Sequence, residues 1–347
     1  MDAPHGGDDM PASLPAPGIT TDSPPDSAPS ATTPNTSFLV QRTRRTSLIS
    51  FEVFPPRPGR AGSSSTGSLD EVWRGIETMA EATPDYFSVT HGHGQPAGAN
   101  RTVIRHLLET TDQPVMAHLI CQGSTTEQMR ETVADLLDDG VRDILALRGD
   151  PPRGESDWIH QPDGLNTGAA LVRLIRQIEA ERLEVPDGPG ARPVSISVAA
   201  YPPSGAGRDH AADLCALWEK QEAGADYAIT QVFYDAEDYA RLVDDARSQG
   251  IHLPIVAGIA PLTHPKRLTR LQEISGVPVP QHLLDHLDVD HEAERRRRGV
   301  AATLRLIDSV LELGCPGLHL YTFNKHPAAL AVLEHLRIRD AARLARA

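Results

Sequence analysis

The chain has 347 residues, 33 Lys and Arg against 47 Asp and Glu, a net charge of −14 and three cysteines. That length holds one large domain or two ordinary ones, and the acidic balance argues against a dedicated nucleic-acid binder, which needs surplus cations to neutralise phosphates. Cys121, Cys215 and Cys315 show neither disulfide-framework nor zinc spacing, and no apolar run approaches the ~18 residues of a membrane span, so a cytoplasmic, reducing location without membrane contact is expected.

Residues 1–45 read as a disordered tail. Positions 1–36 hold eight prolines and five aspartates but no Lys or Arg, and so little apolar surface cannot offset the entropy of ordering. They lack the basic and apolar blocks of a secretory signal and the arginines of a mitochondrial presequence. From residue 46 to 347 the pattern is that of one folded domain, with short apolar runs alternating with helical stretches. The candidate strands cover 47–54, 86–90, 115–121, 143–148, 194–200, 227–233, 253–258 and 317–323. Ser68 with Glu71 and Ser124 with Glu127 have capping-box spacing, and Gly140, Gly224 and Gly250 stand where helices end.

Strands joined by helical crossovers are parallel, and eight such units over ~300 residues make an α/β fold of the (β/α)8 TIM-barrel type. The stretch 279–313, with Arg295–Arg298 in it, predicts extra helices before the last strand, the arginines forming a solvated helix face. No GxGxxG follows any strand, as a doubly wound dinucleotide fold would require.

A barrel's active site forms at the C-terminal ends of its strands, so polar residues that interrupt apolar strands there are the candidates. Glu52 lies inside SLISFEVF, where apolar neighbours disfavour an ionised carboxylate and suit a general acid. Thr90 ends the second strand and His118 lies within the third; each taken alone fits a structural role as well. Arg148-Gly149-Asp150 ends the fourth strand, Tyr201 follows the fifth and Gln231 lies near the end of the sixth. A buried glutamine must satisfy a donor and an acceptor and so suits a planar heterocycle. His91-Gly92-His93 has no carboxylate or further histidine beside it in sequence, and no metal is expected. Of the 33 basic residues only Lys220, Lys266 and Lys325 are lysine, which marks those three positions, since ammonium and guanidinium are not interchangeable at tight sites.

Together these segments resemble the methylenetetrahydrofolate reductases. Ser50-Phe51-Glu52 with Pro55-Pro56 is similar to their SFEFFPP opening, and Phe87–Thr90 and Ala117–Leu119 to the next two strands. Ala146–Asp150 is similar to ALRGD, Val198–Pro202 to VAAYP, Ile229–Gln231 to ITQ, and His319–Asn324 to HFYTLN. The resemblance implies a (β/α)8 barrel carrying FAD, which reduces 5,10-methylenetetrahydrofolate to 5-methyltetrahydrofolate with NADH or NADPH. It implies Glu52 as the acid, Asp150 beside flavin and folate, and Gln231 and Lys325 towards the substrate. It places Thr90, His118, Leu147, Arg148, Gly149, Asp150, Tyr201, Asp213 and Lys220 at the cofactor. A homo-oligomer is compatible with it. The chain departs from the family pattern at 91–97 and at 203–207, where a cofactor-contacting histidine is missing. It departs again at Pro265, where some members carry an aromatic that stacks on the nicotinamide nucleotide, and at Thr167 and Lys325, in place of a Tyr and an Arg. These departures keep two alternatives open: a flavin-independent reductase of the same fold, and a non-catalytic folate- or flavin-binding paralogue.

Overall fold

A computed structural model describes residues 48–55, 69–91, 98–149, 161–184, 192–204 and 208–344. The expected tail, Asp150, His93 and the Ser68 cap lie outside these residues. Eight strands alternate with helices: β1 (Leu48–Val53), α1 (Leu69–Glu81), β2 (Tyr86–Val89), α2 (Ala99–Thr110), β3 (Val115–Ile120), α3 (Thr126–Asp138), β4 (Asp143–Leu147) and α4 (Gly168–Arg182). There follow β5 (Ser195–Ala200), α5 (His210–Glu222), β6 (Tyr227–Thr230), α6 (Ala236–Ser248) and β7 (Ile255–Ile259). Three helices, α7 (Pro265–Ser275), α8 (Gln281–Leu287) and α9 (Glu292–Glu312), precede β8 (Gly317–Tyr321), and α10 (His326–Leu344) closes the domain. All neighbouring strands pair in parallel and β8 returns to β1, giving a closed barrel in sequence order. No helix among the described residues is long and apolar enough to cross a membrane.

The strands read as near-continuous apolar runs because both of their faces are buried. One face carries Phe51, Val53, Phe87, Val89, Ile144, Ile196 and Val198 against the helices, in one large cluster. The alternate residues Leu48, Tyr86, Met116, Leu145, Tyr227, Ile229 and Val256 form a separate cluster inside the barrel, as a side-chain period of two requires. The inner face therefore also holds the polar exceptions: the register pairs Glu52 with Ser88, and Ser50 with His319.

Helix ends confirm part of the sequence punctuation. Gly140, Gly224 and Gly250 have φ of 92°, 104° and 75°, the left-handed geometry that follows a helix. The capping box of α3 is Thr125 with Gln128 rather than Ser124 with Glu127, because the chain enters the helix one residue later and Gln128 supplies the return bond as well as a glutamate would. The extra helices expected in 279–313 are α8 and α9. There Arg297 and Arg298 pair with Glu294, while Arg295 turns inward to the carbonyls of Leu287 and Val289. Gly258 is required at the mouth, since a Cβ there would lie 2.2 Å from Thr230 O and 2.8 Å from the Tyr321 hydroxyl.

Candidate active site

Glu52 is the next-to-last residue of β1 and points into the barrel near its C-terminal end, its side chain only 7% exposed. His319 of β8 and His118 of β3 face it: His319 Nε2 lies 3.3 Å and His118 Nε2 3.9 Å from Glu52 Oε2. Each imidazole is oriented by a serine on a neighbouring strand. Ser50 Oγ donates to Leu318 O and lies 2.8 Å from His319 Nδ1, and Ser88 Oγ lies 2.6 Å from His118 Nε2.

Burial and hydrogen-bond distances limit where protons can sit. Burial, aided by His319 and His91, pushes the His118 imidazole down to about 3, so it is neutral, with Ser88 Oγ hydrogen-bonded to its Nε2. Ser50 Oγ reaches both Leu318 O, at 3.4 Å, and His319 Nδ1, at 2.8 Å, and so fixes the plane of the His319 ring. In either tautomer the His319 Nε2 can exchange a proton with Glu52 Oε2 across 3.3 Å. Neutral His118 supplies no compensating charge to the buried contact between the Glu52 carboxyl and the His319 imidazole.

Glu52, His118 and His319 also form a metal-type ligand set, their ligand atoms all within 4.8 Å of one another. Ser88 Oγ, 2.6 Å from His118 Nε2, would have to give way to an ion held there. His319, Ser50 and Ser88 were not among the residues selected from sequence, although the polar residue in the apolar run GLHLY was a visible signal for His319.

A second group gathers at the ends of β4 and β5. The Lys220 ammonium, from the last turn of α5, is buried and donates to Ala199 O at 2.9 Å. Burial lowers it to about 8, against the pull of Asp213 and with the help of Arg208 and Arg148. Arg208 lies 3.6 Å over the Tyr201 ring and holds Asp213 through two hydrogen bonds. Leu147 ends β4, and beyond it Arg148 O accepts from Gln122 N at 3.1 Å. Gly149 has φ 98°, and a Cβ there would strike Ile120 Cγ2 at 2.6 Å. Tyr321 bridges the two groups electrostatically: burial raises its hydroxyl, with Glu52 and Tyr201 adding to the effect.

The cofactor expectation can be tested on these atoms. Thr90 Oγ1 is buried without a hydrogen-bond partner among the described residues, and one acceptor leaves Lys220 with two N–H groups unused. Both fit a polar, anionic cofactor at the mouth. Tyr201 and Asp213 fit it only if Arg208 exchanges its present partners for the cofactor's. Gln231 lies just beyond β6, half-buried, with Oε1 accepting from Val232 N at 2.9 Å, which leaves its amide N–H donors without an acceptor among the described residues. Lys325 is exposed, and no bond among the described residues links it to the Glu52 group.

Residues 39–337 match the family model described as methylenetetrahydrofolate reductase. A 5,10-methylenetetrahydrofolate reductase of Pectobacterium carotovorum subsp. carotovorum is 33% identical over 85% of this chain and 92% of its own. Methylenetetrahydrofolate reductase (NADH) 1 of Zea mays is 28% identical over 86% of this chain, which spans 49% of the maize protein. Among solved structures, an uncharacterized Clostridium thermocellum protein described as binding two copies of 5-methyl-5,6,7,8-tetrahydrofolic acid superposes with a TM-score of 0.60. It is 13% identical, and the match covers 86% of this chain and 98% of that one; the likeness is one of fold.

Proposed function

Because the chain belongs to the methylenetetrahydrofolate reductase family, we propose that it reduces 5,10-methylenetetrahydrofolate to 5-methyltetrahydrofolate with NADH or NADPH in the cytoplasm. The observation that carries this reading is the buried contact of Glu52 Oε2 with His319 Nε2, 3.3 Å apart at the barrel mouth. The methylene carbon becomes electrophilic only when the five-membered ring opens to an iminium ion, and that opening needs a proton at N10. Glu52 supplies it. His319, held by Ser50, fixes the carboxyl in a donating position and returns a proton to it after turnover. Neutral His118 adds no positive charge that would oppose the cationic iminium, and the low exposure of all three groups keeps water from competing for the proton.

Gln231 presents its N–H donors to acceptors on the pterin edge, and Lys325 stands beyond β8 for the substrate's outer part. Asp150 is assigned beside the reacting atoms, where a carboxylate favours the cationic iminium. FAD, when bound, supplies the relay that takes a hydride from the nicotinamide and passes it to the folate. Thr90, His118, Leu147, Arg148, Gly149, Asp150, Tyr201, Asp213 and Lys220 are the residues that would hold it, Lys220 as a phosphate partner.

The engagement of Tyr201 and Asp213 by Arg208 favours a second reading, direct nicotinamide-to-folate transfer without flavin. One experiment separates the two. Protein titrated with FAD should turn yellow, bleach with NADH or NADPH, and recolour with methylenetetrahydrofolate. Folate reduction by colourless protein that cannot take up FAD would establish the flavin-free route instead.

A further inference from the structure

At the rim of the mouth β8 leads into two consecutive left-handed residues, Phe323 with φ 52° and Asn324 with φ 56°. For a bulky aromatic that backbone is strained. Asn324 holds it: Oδ1 accepts from Phe54 N at 2.8 Å and Nδ2 donates to Phe54 O at 2.8 Å, clamping the end of β8 to the end of β1. The clamp lays the Phe323 ring beside that of Phe54, with centroids 5.9 Å apart and planes 11° from parallel. Arg267, in the first turn of α7, sets its guanidinium 5.5 Å from the centroid of the Phe323 ring. All three side chains are half-buried.

The Arg267 guanidinium has no hydrogen-bond acceptor and no carboxylate among the described residues; the Phe323 ring is its one partner. Burial lowers its basicity and no acidic neighbour opposes that shift. Other half-buried arginines are compensated: Arg101 by Asp135 and Asp139, Arg176 by Glu179 and Asp226, Arg295 by two carbonyls. A half-buried cation without an acceptor costs free energy that packing against one ring does not recover. Strain and an uncompensated charge coincide at one place on the rim, next to the Pro265 departure.

We propose that Phe54, Phe323 and Arg267 form a subsite for the aromatic acid arm of the folate, the rings packing against its aminobenzoyl group and Arg267 taking a carboxylate of its glutamate. The proposal rests on the reductase reading and adds the outer half of the substrate to it. The chemistry fits the geometry. N10, which Glu52 protonates, is bonded directly to the benzoyl ring, and Phe54 is two residues beyond Glu52, just past the end of β1. A ligand with N10 at Glu52 therefore directs its aryl ring towards the Phe54–Phe323 pair and its carboxylates towards the rim.

The test is calorimetric titration of the full chain with 5-methyltetrahydrofolate and with 5-methyltetrahydropteroate, which lacks the glutamate, beside the KM for NADH. Arg267→Gln should bind methyltetrahydrofolate about ten- to a hundred-fold more weakly and methyltetrahydropteroate as wild type does, with Arg267→Lys between. Its melting temperature should change little, because only the contact with the Phe323 ring, and no hydrogen bond or ion pair among the described residues, is lost. Phe323→Leu should weaken both ligands about two- to ten-fold. Equal folate affinity in Arg267→Gln and wild type overturns the proposal. So does a loss that extends to the pteroate, or one confined to the KM for NADH. Wild-type protein that binds neither ligand overturns the reductase reading along with it.

Discussion

Replacing His118 with glutamine should flatten the acid limb of the protein's stability. In the folded barrel its imidazole is held down to about 3, from an ordinary 6.5. As pH falls through 6.5 the unfolded chain takes up a proton there that the folded chain refuses until near 3. The unfolded state thus binds more protons across that window, and stability falls with pH by ~1.4 kcal/mol per unit. Two units of acidification below 6.5 should therefore cost about 3 kcal/mol, and the whole window about 4–5 kcal/mol; above 6.5 there is no effect. Glutamine keeps an acceptor for Ser88 and removes the titration. Urea denaturation of the two proteins across this range measures the difference directly. Stability curves that run parallel from neutral pH down to pH 4 would refute the burial argument for a neutral His118.

Three further outcomes follow from the same geometry. Gly258→Ala drives a Cβ against Thr230 O and the Tyr321 hydroxyl, and should destabilise by about 3 kcal/mol in urea; a wild-type midpoint would show that the strands yield there. FAD affinity, titrated by flavin fluorescence, should be level below pH 8 and decline above it as buried Lys220, at about 8, loses its charge. Lys220→Met should abolish that step, and a step that survives in this variant would assign it elsewhere. His319→Gln should slow turnover about tenfold or more, leave the folate KM in place and alter the pH–rate profile; an unaltered profile would count against proton exchange between His319 and Glu52.

Much of the fold was legible because a (β/α)8 chain repeats one simple pattern. Apolar runs punctuated by helices implied parallel strands, and strand count with length implied closure. Polar residues inside apolar runs stood out for the same reason, which is how Glu52, Thr90 and His118 were found. What the sequence could not show is which strand residues face each other across a closed barrel. His319 meets both Ser50 and Glu52 through the β1–β8 register, and register is a long-range property. Arg267 was hidden differently: one arginine among thirty carries no local mark, and only burial without a partner singles it out. The Arg208 contacts with Tyr201 and Asp213 were unreadable too, because they depend on how the chain packs back onto β5 and α5.

The most direct test of Glu52 as the folate-protonating acid is a pair of half-reactions on FAD-loaded Glu52→Gln protein, followed by flavin absorbance. NADH or NADPH should bleach the variant as fast as the wild type, since no proton on N10 is involved. Methylenetetrahydrofolate should then recolour it at least about a hundred-fold more slowly than it recolours the wild type. Recolouring at the wild-type rate would contradict the assignment of Glu52 as the acid that opens the folate ring.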